Sequence, residues 1–167
     1  MAVVIVVAAV LLSSLIPSAV LPLDQAADRM AWALPWAILP LVTLMVSIIR
    51  VANHRFSTPE DIDGSGLTVG TQEIQILRAI LQNTLEQAVL AVGGYLIASV
   101  ILPYAWLRVI PAAALLFVIG RILFAAGYAK GAEGRAAGFG LTAYPTFALL
   151  ATLVVLLGVR MAVWTVR

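Results

Sequence analysis

Long apolar runs, each interrupted by a few polar residues, constrain this chain more than any other feature. Five follow one another, at about 2–23, 30–49, 72–102, 104–128 and 139–159. Each is close to or above the roughly 20 residues with which an α-helix crosses about 30 Å of hydrocarbon. In that medium a backbone amide finds no water, so it must bond within its own helix. Composition points the same way: 63% of the 167 residues are hydrophobic and 11% are charged. The mean hydropathy is +1.07. A soluble domain is about a quarter charged, and this chain could not cover itself with polar surface. The expected fold is all-α, a transmembrane helical bundle, multi-pass in a lipid bilayer (the cell inner membrane if the source is bacterial).

The same inventory excludes several kinds of chemistry. A formal charge of +2, dispersed along the chain, gives no basic patch for nucleic acid. Without cysteine there is no disulfide, thiolate metal site or cysteine nucleophile. His54 stands alone and the acids are scattered, so no metal site is expected. Glu60, Asp61 and Asp63 read as a solvated loop face, and His54 as a polar loop residue.

Punctuation sets the boundaries. The first run has no positively charged start like that of a signal peptide, so it reads as a retained membrane helix. Asp24, Asp28 and Arg29 form the turn after it, which makes 1–29 an N-terminal addition to a bundle over 30–167. Pro35 and Pro40 predict kinks in the second helix, and Trp32 and Trp36 suit an interfacial belt. Pro59, Gly64, Gly66 and Gly70 mark a loop, and Thr71 can cap the helix that follows. Pro103 ends that third helix, while Gly127, Gly131 and Gly134 mark the loop after the fourth. Arg50, Arg55, Arg78, Lys130 and Arg135 then fall on one side of the membrane, and Arg29, Arg108, Arg160 and Arg167 on the other. The positive-inside rule places the first set in the cytoplasm.

Polar groups at membrane depth are costly, and their default reading is a functional site. Asn83 and Glu86 are three residues apart and share a face of the third helix. Arg121 and Tyr128 are seven apart on the fourth, and Arg135 lies seven further on, placed to fold back over a mouth. Counting from Pro103 as the hinge of a helical hairpin brings Glu86 level with Arg121, Asn83 with Phe124 and Arg78 with Tyr128. An acid, a carboxamide, arginines and a phenol at the membrane edge fit a small, polar, anionic ligand, glutathione among other anions. Arginines would clamp its carboxylates, Glu86 its ammonium and Asn83 a peptide group.

LQNTLEQ, with Asn83 and Glu86, followed by Arg121, Tyr128 and Arg135 in R-x6-Y-x6-R, resembles the MAPEG family. These are membrane-associated proteins of eicosanoid and glutathione metabolism, the microsomal glutathione transferases among them. The resemblance covers about 30–159 and implies a four-helix bundle, with the first helix as an extra. It implies a homotrimer that holds glutathione as co-substrate between neighbouring subunits and passes its thiol to lipophilic electrophiles or peroxides. By position it makes Asn83, Glu86, Tyr128 and Arg135 ligand contacts and Arg121 the arginine that begins the fourth-helix motif; the candidate anion contacts are Arg121, Arg135 and Arg78. Arg50 is similar to the family's arginine linked to thiolate activation. Ala79 and Phe124 depart from the pattern, where characterised members carry arginine and tyrosine or histidine. They motivate an alternative, a non-catalytic membrane binding or assembly module built on the same bundle.

Overall fold

The computed structural model describes residues 1–17, 21–22, 24–64 and 67–165, without the side chains of 164 and 165. Gly66 and Arg167, and part of the first apolar run, lie outside the described residues. Among the described residues five α-helices form: α1 (Ala2–Ser14), α2 (Ala26–Ser57), α3 (Gln72–Ile101), α4 (Val109–Gly127) and α5 (Gly131–Thr165). No strand occurs among the described residues. Both α2 and α3 are long and apolar enough to cross a membrane, as is the stretch 104–163, which folds back into α4 and α5.

The four long helices pack as a ring. α2 lies along α3 and α4 along α5, while α2 also meets α4 and α3 meets α5. This places α3 and α4 on a diagonal, which corrects the expected hairpin. Seven residues, Leu102 to Arg108, separate the two helices and include a 3-10 turn at Tyr104–Trp106. That length carries the chain across the end of the bundle instead of straight back. The inner faces are built from small residues, Ala33 on α2, Ala88, Ala91 and Ala98 on α3, and Ala113 and Ala114 on α4, all buried. Small side chains let helices approach closely where lipid is as apolar as any partner. Leu34, Ile38, Ile119 and Val154 are left on the outside, facing the hydrocarbon.

The α4–α5 contact is a close one, backbone on backbone. A Cβ on Gly127 would lie 1.9 Å from the Gly134 carbonyl oxygen, and one on Gly138 would lie 2.2 Å from the Phe124 nitrogen. These glycines are contact surface, and the expected loop after α4 is only the 3-10 turn Tyr128–Lys130. Gly131 makes the reversal at φ +81°, and α5 begins there, eight residues before the expected run at 139.

Other expectations change in detail. α2 is continuous through Pro35 and Pro40, and Trp32 and Trp36 pack against the core, edge to face at 6.3 Å. α1 has 13 residues, about 20 Å at 1.5 Å per residue, so its helical part alone is shorter than the hydrocarbon. It rests against α4 and α5. The arginines at the Pro103 end tie distant segments of the chain together. Arg29 donates to the Leu102 carbonyl and Arg160 to that of Ile101 at 3.0 Å, answering carbonyls at the α3 C-terminus. Arg108 donates to the Ile16 carbonyl at 3.3 Å.

Candidate functional site

On α3 the buried stripe runs Ile80, Thr84, Gln87, Ala88 and Ala91. At 100° per residue, Asn83 sits on its flank, half-buried, whereas Glu86 points to the outside and is exposed. Arg121 on α4 is 5% exposed. It reaches across the diagonal to Asn83, donating to Oδ1 at 2.8 Å, and donates to the Thr142 hydroxyl of α5 at 3.1 Å. Thr142 is held in turn by donating to the Phe139 carbonyl at 2.9 Å. The guanidinium also stands 4.2 Å from the centre of the Phe124 ring. The predicted Glu86–Arg121 pair is therefore absent. Glu86 accepts from Gln82 on its own helix, at 2.9 Å. Counting from Pro103 missed the crossing segment, and no acid lies within ion-pair distance of Arg121 among the described residues.

This arrangement fixes one atom assignment. A guanidinium only donates, so the Asn83 oxygen is committed to Arg121 and its NH2 is left to donate elsewhere. Asn83, Phe124, Tyr128, Arg135 and Phe139 line a cavity of about 400 Å³ between α3, α4 and α5. Arg135, in the second turn of α5, stacks its guanidinium 4.5 Å from the Tyr128 ring, and Tyr128 meets Phe124 edge to face at 5.3 Å. The cavity thus offers amide, guanidinium and phenol donors, with no acid among its lining residues. Such a set suits carboxylates and peptide carbonyls. The structure brings together Asn83, Arg121, Tyr128 and Arg135, and leaves three other candidates apart. Arg50 is exposed and lines a second cavity, between α2, α3 and α4. Arg78 faces Asp61 and Gly70 beside the 58–71 connection, not Tyr128. Glu86 looks outward. Thr142 was missed, because its hydroxyl looks like ordinary helix glue until α5 is known to begin at Gly131.

The acidic loop also differs from expectation. Asp61 is 2% exposed. Its Oδ1 accepts from the Thr71 amide at 2.8 Å, and its Oδ2 from the Thr71 hydroxyl at 2.6 Å and His54 Nε2 at 2.8 Å. Thr71 still caps α3, accepting from the Ile74 amide at 3.3 Å. One carboxylate therefore pins the loop to the end of α2 and the start of α3. Burial raises the Asp61 pKa, but the bonds from Thr71 and His54 outweigh it and hold the carboxyl below its ordinary 3.8. A group depressed in this way adds stability above its unfolded pKa and loses it as pH falls through the folded one. Asp61→Ala is expected to lower the thermal midpoint at pH 7. It should also flatten the acid-side fall in stability below about pH 4, as a melting series over pH 2.5–7 would read.

No group of three or more His, Cys, Asp or Glu able to hold a metal occurs among the described residues. Neither a curated protein nor a solved structure matches the chain. One family model does, over residues 30–163, which takes in α2 from Met30, all of α3 and α4, α5 to the end of the last apolar run and both halves of the cavity, and leaves α1 outside. With four long apolar helices in a ring and that match over most of its length, the chain is a membrane protein that belongs to the MAPEG family.

Proposed function

We propose that the α3–α4–α5 cavity binds glutathione or a similar anionic thiol and presents its thiolate to lipophilic electrophiles or peroxides arriving from the bilayer. The observation that carries this reading is the Asn83 carboxamide, whose oxygen Arg121 occupies so that its NH2 is left to donate, in the wall of a cavity also lined by Arg135 and Tyr128. Arg135 takes a ligand carboxylate, Asn83 donates to a carboxylate or peptide carbonyl, and the Tyr128 hydroxyl supplies a further polar contact. The two guanidiniums favour the thiolate over the thiol, and the thiolate is the nucleophile. Assembly as a homotrimer fits the outward-facing Glu86 and Arg50, which in one chain contact nothing in the cavity. Across a subunit contact Glu86 could meet the ligand ammonium and Arg50 the thiolate.

A second reading has support of its own. Arg121 spends two donors on Asn83 and Thr142, and so ties α3, α4 and α5 together with no ligand present. Such a tie serves a non-catalytic assembly module equally well. Turnover of a chlorinated aromatic by the purified protein with glutathione separates the two. The transferase reading predicts glutathione-dependent product, reduced at least tenfold by Glu86→Ala without a change in the melting curve. The module reading predicts no product, and a melting midpoint that falls with Arg121→Met, which removes the tie.

A further inference from the structure

The family match leaves α1 outside, and α1 encloses space where it rests on the bundle. Between α1 and the start of α4 lies a cavity of about 180 Å³, lined by Ser13 and Ser14 of α1 and by Trp106, Arg108 and Val109. An adjoining cavity of about 150 Å³ continues along α1 between α4 and α5, past Val6, Ala9 and Leu149. Val10, Trp106 and Val109 belong to both walls, so the two form one crevice. Its polar end is at the Pro103 side of the membrane, where Arg108 meets the Ile16 carbonyl. Its apolar end is deeper, since Val6 comes seven residues before Ser13, about 10 Å along the helix.

The hydroxyls of the crevice are already spent. Ser13 donates to the Val10 carbonyl at 2.6 Å, Ser14 to that of Leu11 at 2.7 Å, and Thr152 to that of Ala148 at 2.8 Å. The Arg108 guanidinium is what remains. It gives one bond, from Nη1 to Ile16 at 3.3 Å, while its Nε–H is buried without an acceptor. It forms no ion pair among the described residues, and no acid lines either cavity. α4 starts at the next residue with no side chain capping it, so the partial positive charge of a helix start adds to that of the guanidinium. Trp106 is 54% exposed beside it, and indoles gather at headgroup level.

The geometry points to a binding site for an anionic phospholipid of the leaflet on the Pro103 side, with its phosphodiester on Arg108 and part of one acyl chain along Val6, Ala9 and Leu149. A phosphate offers two oxygens to the guanidinium fork, as a hydroxyl cannot. With no carboxylate in the wall, an ammonium headgroup finds no partner, which favours a lipid of net negative charge. Each cavity is smaller than the roughly 300 Å³ with which small-molecule sites begin. A lipid needs no more, because most of it stays in the surrounding bilayer. The crevice shares no residue with the thiol cavity and does not rest on that reading.

Native mass spectrometry of the full-length protein, released from detergent micelles, tests the inference. The probes are dioleoylphosphatidylglycerol, dioleoylphosphatidylethanolamine, dioleoylglycerol and inorganic phosphate. Phosphatidylglycerol should saturate at one per chain, and the other three should bind at least fivefold more weakly. Arg108→Gln should weaken phosphatidylglycerol about tenfold, the loss of a charge-assisted hydrogen bond. Arg160→Gln, which removes an exposed arginine at the same end of the bundle, should leave it unchanged. Val10→Trp keeps Arg108 and fills the crevice from a position 46% exposed, so it should abolish saturation while the melting midpoint stays within a few degrees. Equal affinity for the three lipids, inorganic phosphate bound as tightly as phosphatidylglycerol, equal losses with Arg108→Gln and Arg160→Gln, or binding unaffected by Val10→Trp would each overturn the assignment.

Discussion

Gly127→Ala is expected to destabilise the bundle by about 3 kcal/mol or more, a large effect for one methyl group. The new carbon would stand 1.9 Å from the Gly134 carbonyl oxygen. The obstacle is backbone, so no side-chain rotation relieves it, and α4 and α5 must move apart. Gly138→Ala meets the Phe124 backbone at 2.2 Å and should behave alike. Separation of these helices also breaks the Arg121–Thr142 bond and widens the Tyr128–Arg135 cavity, so ligand binding should be lost together with stability. Gly93→Ala is the control. Nothing lies within 4 Å of that position, and alanine is the better helix former by about 1 kcal/mol. Unfolding titrations of the three variants in mixed detergent micelles should show two severe losses and one neutral or slightly stabilised protein. Similar stabilities for Gly127→Ala and wild type would contradict the close α4–α5 packing.

The second large effect belongs to Arg121. Replacing it by methionine keeps much of the volume and removes a buried charge that no acid balances, so the melting midpoint should change little. Binding should suffer far more. Without the guanidinium the Asn83 oxygen is released, the carboxamide is free to turn, and Phe124 loses the group stacked on its face. Hydrogen bonds to charged groups contribute about 2 kcal/mol, so the Kd for glutathione should rise roughly 30-fold. Arg121→Lys should rescue poorly, because an ammonium lacks the planar fork that reaches Asn83 and Thr142 at once. A methionine variant that melts much earlier yet binds glutathione as wild type does would make Arg121 a structural tie alone.

The contrast between what could be read in the residues and what could not has a physical basis. Helix existence was legible because hydrocarbon forces every apolar run of sufficient length into one conformation. The Thr71 cap and the stop at Pro103 were legible because each acts through its own backbone. Motif order carried the family, since Asn83, Arg121, Tyr128 and Arg135 keep their spacing whatever the helices do in space. Long-range geometry was not legible. The Glu86–Arg121 pairing assumed that chain neighbours are spatial neighbours, and the segment 102–108 instead takes α4 to the far corner of the ring. Glu86 shares a face with Asn83 in projection, yet 60° of rotation moves it from the flank of the buried stripe to the outside. Asp61 looked like a surface acid because nothing near it in sequence announces Thr71, ten residues on, as its partner. Glycine was ambiguous for a similar reason. Gly127 and Gly134 can mark a loop or a helix contact, and only the position of the neighbouring helix decides.

The central claim is that Asn83, Tyr128 and Arg135, set in place by Arg121, form a site for an anionic thiol. A glutathione titration of the purified protein by calorimetry, run beside Asn83→Leu and Arg135→Ala, tests it most directly. The account predicts saturable binding by the wild type and at least a tenfold weaker Kd for each variant, with melting curves within a few degrees of one another. Absence of saturable binding by the wild type, or the same Kd in all three proteins, would contradict it.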